Sequence, residues 1–268
     1  LSQMENKPLH FVVVTPTCNR IEYLPEAIES VRSTVKGGFG KNHEFTFEHA
    51  LCANGCVDGT NEYLEELSKQ KKEGLNIRFW KEPTKLLPGP ARNIVISNAP
   101  KASWIVPLDD DDVMLQRNLY YHAALVKNNP DTQWFINDFL RMDQDRRYEG
   151  NKDYWCWQFD KPEEMINEIF KGTCFIQGNV SYSKKIFDEV GGYHESLRMA
   201  EDLDLYLRFL LAGYMPKTSP HISHLHRNHN SNISIGVDHS KHFQDLETLY
   251  LRYEQQLEKM GIPKPKED

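Results

Sequence analysis

The sequence predicts an α/β protein with a mostly parallel central sheet and helices on both of its faces, and three features carry that expectation. The run at residues 9–15 (LHFVVVT) is apolar and β-branched almost throughout, the signature of a strand buried on both faces. Strand-like and helix-like segments then alternate through the first half of the chain. Alternation of that kind builds right-handed crossover units, which lay successive strands parallel.

Each element has a local cause. Pro16 stops the first strand, and a helix follows at about residues 22–35 until Gly37-Gly38 ends it. Residues 45–53 (FTFEHALCA) form a second strand. Asp58-Gly59-Thr60 opens a helix to about Lys72, with Glu and Lys alternating on its solvent face. Residues 75–80 give a third strand, and Pro88-Gly89-Pro90 opens a helix at 91–98. Residues 103–108 (SWIVPL) give a fourth strand, where Pro107 fits only near the end. A helix is expected at 115–127.

Beyond Asp131 the pattern loosens. A strand at 134–140 precedes a polar aromatic stretch at 154–159 and a helix around 163–170. An extended stretch to Tyr182, a helix at 201–212 and a His-rich segment at 221–229 follow. Near the end, at about 240–260, Leu246, Leu249, Tyr250, Tyr253 and Leu257 recur at helical spacing, so a terminal helix should pack on the body of the protein. Its polar face is not basic, which argues against a membrane-surface role.

The 268 residues carry 32 Lys plus Arg against 39 Asp plus Glu, a formal charge of -7. That balance disfavours nucleic-acid binding, which needs a basic surface to release counterions. The five cysteines form no CxxC pair, so they read as reduced thiols and not as a disulfide frame or zinc site. No run approaches the length of a membrane span. One soluble cytoplasmic domain spanning residues 1–268 is expected, without a transmembrane segment and peripheral to a membrane only through what it acts on. Nothing in the sequence sets its oligomeric state.

Asp109-Asp110-Asp111-Asp112 follows directly on the fourth strand. Ligands of parallel α/β sheets bind at the carboxyl ends of the strands, so this run stands where a site belongs. In extended backbone Asp109 and Asp111 face one way, Asp110 and Asp112 the other. Clustered carboxylates need a cation or several donors to offset their repulsion, and hard oxygen ligands suit Mg²⁺ or Mn²⁺. The alternative is a solvated turn with Asp112 capping the next helix.

Further motifs complete a pattern. They are Thr15-Pro16-Thr17-Cys18-Asn19-Arg20, Ala53-Asn54-Gly55-Cys56-Val57-Asp58-Gly59-Thr60, Gly89-Pro90-Ala91-Arg92-Asn93, Asp109-Asp110-Asp111, and Val190-Gly191-Gly192-Tyr193 followed by Glu201-Asp202. In this order they resemble the family 2 inverting glycosyltransferases of GT-A (Rossmann-like) fold, over about residues 9–234. The resemblance implies a nucleotide-sugar-binding half at about 9–112, an acceptor-binding and catalytic half at about 113–236, and a C-terminal helix and tail at about 237–268.

The same resemblance assigns roles. Thr15, Pro16, Thr17, Asn19, Arg20, Asn54, Asp58, Arg92, Asp109 and Asp110 become donor-binding candidates. Asp111 becomes the chief ligand of Mn²⁺ or Mg²⁺, with His229 a third ligand or a diphosphate contact. Asp202 becomes the general base, since Asp202, Tyr206 and Phe209 share a helix face that turns inward. Glu201, Arg227, Trp155 and Trp157 are further phosphate or acceptor candidates. Several alternatives stand beside these: arginines facing solvent, Asp58 capping a helix, Glu201 favouring a helix dipole, and the tryptophans packing in the core. Asp204 and Arg208 are spaced as a surface pair. The family places an aspartate, often a uracil reader, where this chain has Asn54.

The implied reaction moves a sugar from a nucleotide-sugar donor, UDP-linked by preference, to a hydroxyl of a carbohydrate or glycoconjugate acceptor in glycan or polysaccharide synthesis. Two other readings compete. A nucleotidyltransferase should carry a glycine-rich phosphate loop after its first strand, and residues 15–20 contain no glycine. A non-catalytic sugar-nucleotide or glycan-binding module finds support in Asn54 but not in Asp111 and Asp202.

Overall fold

A computed structural model describes residues 7–36, 45–150, 158–172, 176, 178–232 and 239–266. Its centre is one eight-stranded sheet in the order β3-β2-β1-β4-β7-β6-β8-β5. The strands are β1 (Leu9–Thr17), β2 (Phe45–Asn54), β3 (Ile77–Glu82), β4 (Ser103–Pro107), β5 (Val113–Met114), β6 (Trp134–Met142), β7 (Val180–Ser183) and β8 (Lys217–Arg227). The helices are α1 (Leu24–Arg32), α2 (Thr60–Ser68), α3 (Pro88–Ser97), α4 (Asn118–Asn128), α5 (Pro162–Phe170), α6 (Lys184–Glu189), α7 (Glu201–Leu211), α8 (His239–Arg252) and α9 (Glu254–Lys259).

The first half follows the expected crossover logic. β1 pairs in parallel with β2 on one side and β4 on the other, and β2 continues to β3. The chain thus leaves β1 in one direction and returns on its other flank, which opens a crevice at the carboxyl ends of β1 and β4. In β1, Val12 and Val14 enter a core with α3, α5, α7 and α8, while Phe11 and Val13 enter a second core against Trp104, Met114 and Leu119. Both faces are apolar because both are covered.

The second half departs from the sequence expectation in four places. The His-rich segment is the long strand β8, parallel to β6; its histidines disguise the alternation that apolar residues would have displayed. Val113–Met114 forms β5 against β8, so α4 starts at Asn118 instead of residue 115. Helix α6 follows β7 without a loop, with the Ser183 hydroxyl accepting from the Ile186 N–H. The terminal helix is two, α8 and α9, broken at Tyr253. Leu246, Leu249, Tyr250 and Leu257 are buried in the main core as their spacing required. Among the described residues no helix is long and apolar enough to cross a membrane.

Candidate active site

The carboxylate run is a turn, not an extension of β4. The Asp112 N–H donates to the Asp109 carbonyl, which reverses the strict alternation expected of extended backbone. Oxygens of Asp109, Asp111 and Asp112 consequently converge within 4.8 Å of one another. Asp110 turns away towards Thr17, and burial pushes its carboxyl up to about 7, helped by Asp111. Asp112 caps no helix: α4 begins six residues later, and Asp112 Oδ1 instead accepts the Arg227 N–H at 3.0 Å.

Asp111 is the best-furnished member. Its Oδ2 accepts from Arg20 Nη1 at 3.0 Å and from His229 Nε2 at 2.8 Å. The Ser231 N–H donates to His229 Nδ1, so the neutral ring carries its proton on Nε2 and presents it to Asp111. Tyr23 stacks on the His229 ring at 4.7 Å. Asn232 holds the loop by accepting the His229 N–H and donating to the Arg227 carbonyl. The Asp111 side chain is 9% exposed and that of Asp109 48%. Hard carboxylate oxygens of this number and spacing, one buried and one open to solvent, fit a divalent cation such as Mg²⁺ or Mn²⁺.

Arg92 links this corner to the catalytic candidate. One nitrogen of its buried guanidinium bonds Glu201, and Nη2 lies 3.3 Å from Asp109. Glu201 and Asp202 open α7, where Ala200 adopts the left-handed backbone (φ 57°) that a non-glycine residue rarely takes. Burial pushes the Asp202 carboxyl up to about 7, Glu201 adds to this, and Arg92 opposes it. The only bond it receives among the described residues is from the Leu203 N–H. Among the described residues its second oxygen is therefore uncommitted, beside a cation and a carboxylate.

Other candidates are committed to the framework. Thr15 Oγ1 bonds His49 and the Leu108 carbonyl and is fully buried. Asn19 accepts the Val57 N–H, and Asp58 accepts the N–H groups of Ile21 and Thr60, joining the first two loops. Asn54 accepts the Leu86 N–H at 2.7 Å and donates to the Leu86 carbonyl at 2.9 Å, which fixes the amide and leaves it one further N–H and one lone pair. Arg227 is sunk in the protein, donating to the Asp111 carbonyl, the Gln144 carbonyl and Glu26, and is not presented to a phosphate. Asp204 is not a surface partner. It is fully buried and accepts from Arg208 and the Tyr253 hydroxyl. Thr17 Oγ1 is buried and faces Asp110, with no hydrogen bond of ordinary geometry among the described residues, and Pro16 is half-buried beside it. Trp155 and Trp157 lie outside the described residues.

Sequence reasoning missed Tyr23, Glu26 and Ser231, which orient His229 and Arg227 from α1 and the loop after β8. Their only signal was closeness to Arg20 and His229 in the chain.

Comparison with known proteins places this geometry in context. A family model described as glycosyl transferase family 2 matches residues 12–191. No curated protein matches in sequence. Among solved structures, Staphylococcus aureus TarS 1-349 in complex with UDP-GlcNAc superposes with a TM-score of 0.68 at 16% identity, covering 91% of this chain and 66% of that one. The Pyrobaculum calidifontis mannosyltransferase PcManGT in complex with GDP-Man and Mn²⁺ gives 0.54 at 15% identity, covering 80% of this chain and 56% of that one. This chain therefore spans about two thirds or less of the length of these two neighbours.

Proposed function

The chain belongs to glycosyl transferase family 2 and has the GT-A fold, and from that premise we propose that it transfers a sugar, with inversion, from a nucleoside-diphosphate sugar to an acceptor hydroxyl. The observation that carries this reading is the position of Arg92, which contacts Asp109 of the carboxylate run and Glu201 beside Asp202. One buried cation thus spans the diphosphate end and the basic end of a single crevice.

The chain's own groups divide the work. Asp111 and Asp109 would hold Mn²⁺ or Mg²⁺, with His229 hydrogen-bonded to Asp111 beside them; the ion when bound supplies positive charge to the departing diphosphate, worth on the order of several kcal/mol. Arg20, only partly exposed at the same corner, adds a fixed positive charge. Asp202 takes the proton from the acceptor hydroxyl on the opposite side of the sugar. Its raised pKa makes it a stronger base than an exposed aspartate while leaving it substantially ionised near neutral pH. One base and a stabilised leaving group suffice for a single displacement, so no covalent nucleophile is required. The first half of the chain serves the donor, the second the acceptor.

A nucleoside diphosphate release assay across sugar nucleotides, UDP-linked ones first, tests this with Mn²⁺ present and chelated. The product's anomeric configuration, read by NMR, tests inversion. Binding without turnover for every donor and acceptor class tried, with Asp202→Asn indistinguishable from the parent, would sink the catalytic reading.

A further inference from the structure

Behind the carboxylate run, Asp112, His224 and His226 form a buried cluster, their ligand atoms within 4.8 Å of one another, that the proposed transfer reaction does not use. All three are buried, with side chains 3%, 4% and 10% exposed. Asp112 Oδ1 is occupied by the Arg227 N–H. Its Oδ2 is the atom that meets both rings, at 3.3 Å from His226 Nδ1 and 3.8 Å from His224 Nε2.

The longer of these separations is not a hydrogen bond. Two ligands about 2.0–2.1 Å from a tetrahedral ion lie about 3.4 Å apart, which is close to both separations. The tautomer of His224 points the same way. Ser223 Oγ lies 3.2 Å from the Asp138 carbonyl and 2.8 Å from His224 Nδ1; when its proton goes to the carbonyl, it accepts the Nδ1 proton of His224. The lone pair on Nε2 then faces a carboxylate oxygen, two acceptors opposed in a buried space unless a cation lies between them. Phe139, stacked on His224 at 5.3 Å and edge-on to His226 at 6.3 Å, fixes both rings.

We propose that Asp112, His224 and His226 form a second metal site, for Zn²⁺, which shares the Asp112 corner of the carboxylate cluster and adjoins the donor-side cation site of Asp109 and Asp111. Two imidazoles and one carboxylate suit zinc, whereas the oxygen-only donor corner suits Mg²⁺ or Mn²⁺. Ser223 is the supporting group that orients a ligating histidine. The ion ties β8, which leads into His229, to the turn that carries Asp111, and so holds the donor corner in shape. This inference does not depend on the transfer reaction.

Metal content measured by mass spectrometry, after chelator dialysis and reloading with Zn²⁺, tests it. One zinc per chain is expected in the parent and in Asp111→Asn, and none above background in the His224→Ala/His226→Ala double variant. Ser223→Ala, which leaves all three ligands, is expected to weaken zinc binding roughly 10–100-fold. Chelation should lower the Tm, and Zn²⁺ but not Mg²⁺ should restore it. Cobalt loading of the unaltered protein, which needs no variant to fold, should give the strong visible absorption of four-coordinate nitrogen-ligated Co²⁺. Equal zinc in the parent and the double variant, zinc lost only in Asp111→Asn, or six-coordinate cobalt would overturn the proposal.

Discussion

Asn93 clasps the backbone of Tyr193 with both ends of its amide, accepting the Tyr193 N–H at 2.9 Å and donating to its carbonyl at 2.8 Å. The two residues are a hundred positions apart, and their contact docks the start of α3 onto the loop that leads to α7. Gly89 completes the joint, since a Cβ there would stand 2.6 Å from the His194 carbonyl oxygen. Arg92 lies over the Tyr193 ring, 5.5 Å from its centroid. The site's geometry therefore depends on this packed joint as much as on the groups that do chemistry.

Asn93→Ala leaves a backbone donor and acceptor unpaired, at a cost of about 1–3 kcal/mol each where they are buried. The expected result is a Tm lowered by several degrees, together with a fall in kcat at temperatures where the variant is still folded. Gly89→Ala should be at least as damaging, because the backbone itself must move. Thermal melts paired with assays well below the Tm check both. A variant that melts lower yet keeps full kcat would show that the joint stabilises the fold without positioning Arg92.

This joint also marks how far the sequence can be read. The Gly-Pro-Ala-Arg-Asn and Gly-Gly-Tyr motifs are visible as strings, and their order in the chain predicted the fold. Their mutual contact depends on tertiary packing over a hundred residues, which no local periodicity encodes. The carboxylate run was legible for a related reason, since it follows a strand buried on both faces. Its turn was not, because that rests on one backbone hydrogen bond between Asp112 and Asp109. Strand β8 was hidden since His224 and His226 fill positions where a pattern search looks for apolar residues.

Asn54 and Leu86 give the second prediction. In Asn54→Asp one oxygen still accepts the Leu86 N–H, but the other faces the Leu86 carbonyl across the 2.9 Å now spanned by a donor. Two opposed acceptors should destabilise the protein by about 1–3 kcal/mol at neutral pH. The penalty falls on the charged form, so the introduced carboxyl has its pKa raised in the folded state. The deficit is therefore full above that raised value and shrinks as acid protonates the group. Denaturation midpoints of parent and variant from pH 4 to pH 8, on the order of one reading per pH unit, follow it. A deficit that grows towards low pH would contradict the assignment.

Asp202 gives the third. Burial and Glu201 push its carboxyl up to about 7 against the pull of Arg92, and only the ionised form can accept a proton. kcat/KM should therefore fall as pH drops through about 7, in the opposite sense to an acid catalyst. Asp202→Asn should cost about 10²–10⁴-fold, the usual contribution of a positioned base. Glu201→Gln removes the neighbouring negative charge and should move the midpoint to lower pH. A midpoint unchanged in Glu201→Gln would detach the pH dependence from this pair.

The last prediction separates Asp111 from Asp109. Asp111 is nearly buried and accepts from both Arg20 and His229, whereas Asp109 is half exposed and, among the described residues, pairs with Arg92 at 3.3 Å. A nucleoside diphosphate with Mn²⁺ at a hundred times its dissociation constant should stabilise the parent by about 2.7 kcal/mol, seen as a raised Tm. Asp111→Asn removes a charged ligand yet keeps an acceptor for Arg20 and His229, so the fold should survive while the metal-dependent shift disappears. Asp109→Asn, which keeps Asp111 intact, should weaken that shift without abolishing it. Arg20→Ala should reduce nucleotide affinity in the presence and absence of metal alike, because its charge belongs to the protein. If Asp109→Asn proved the more damaging of the two carboxylate variants, the order of ligands at this corner would have to be reversed.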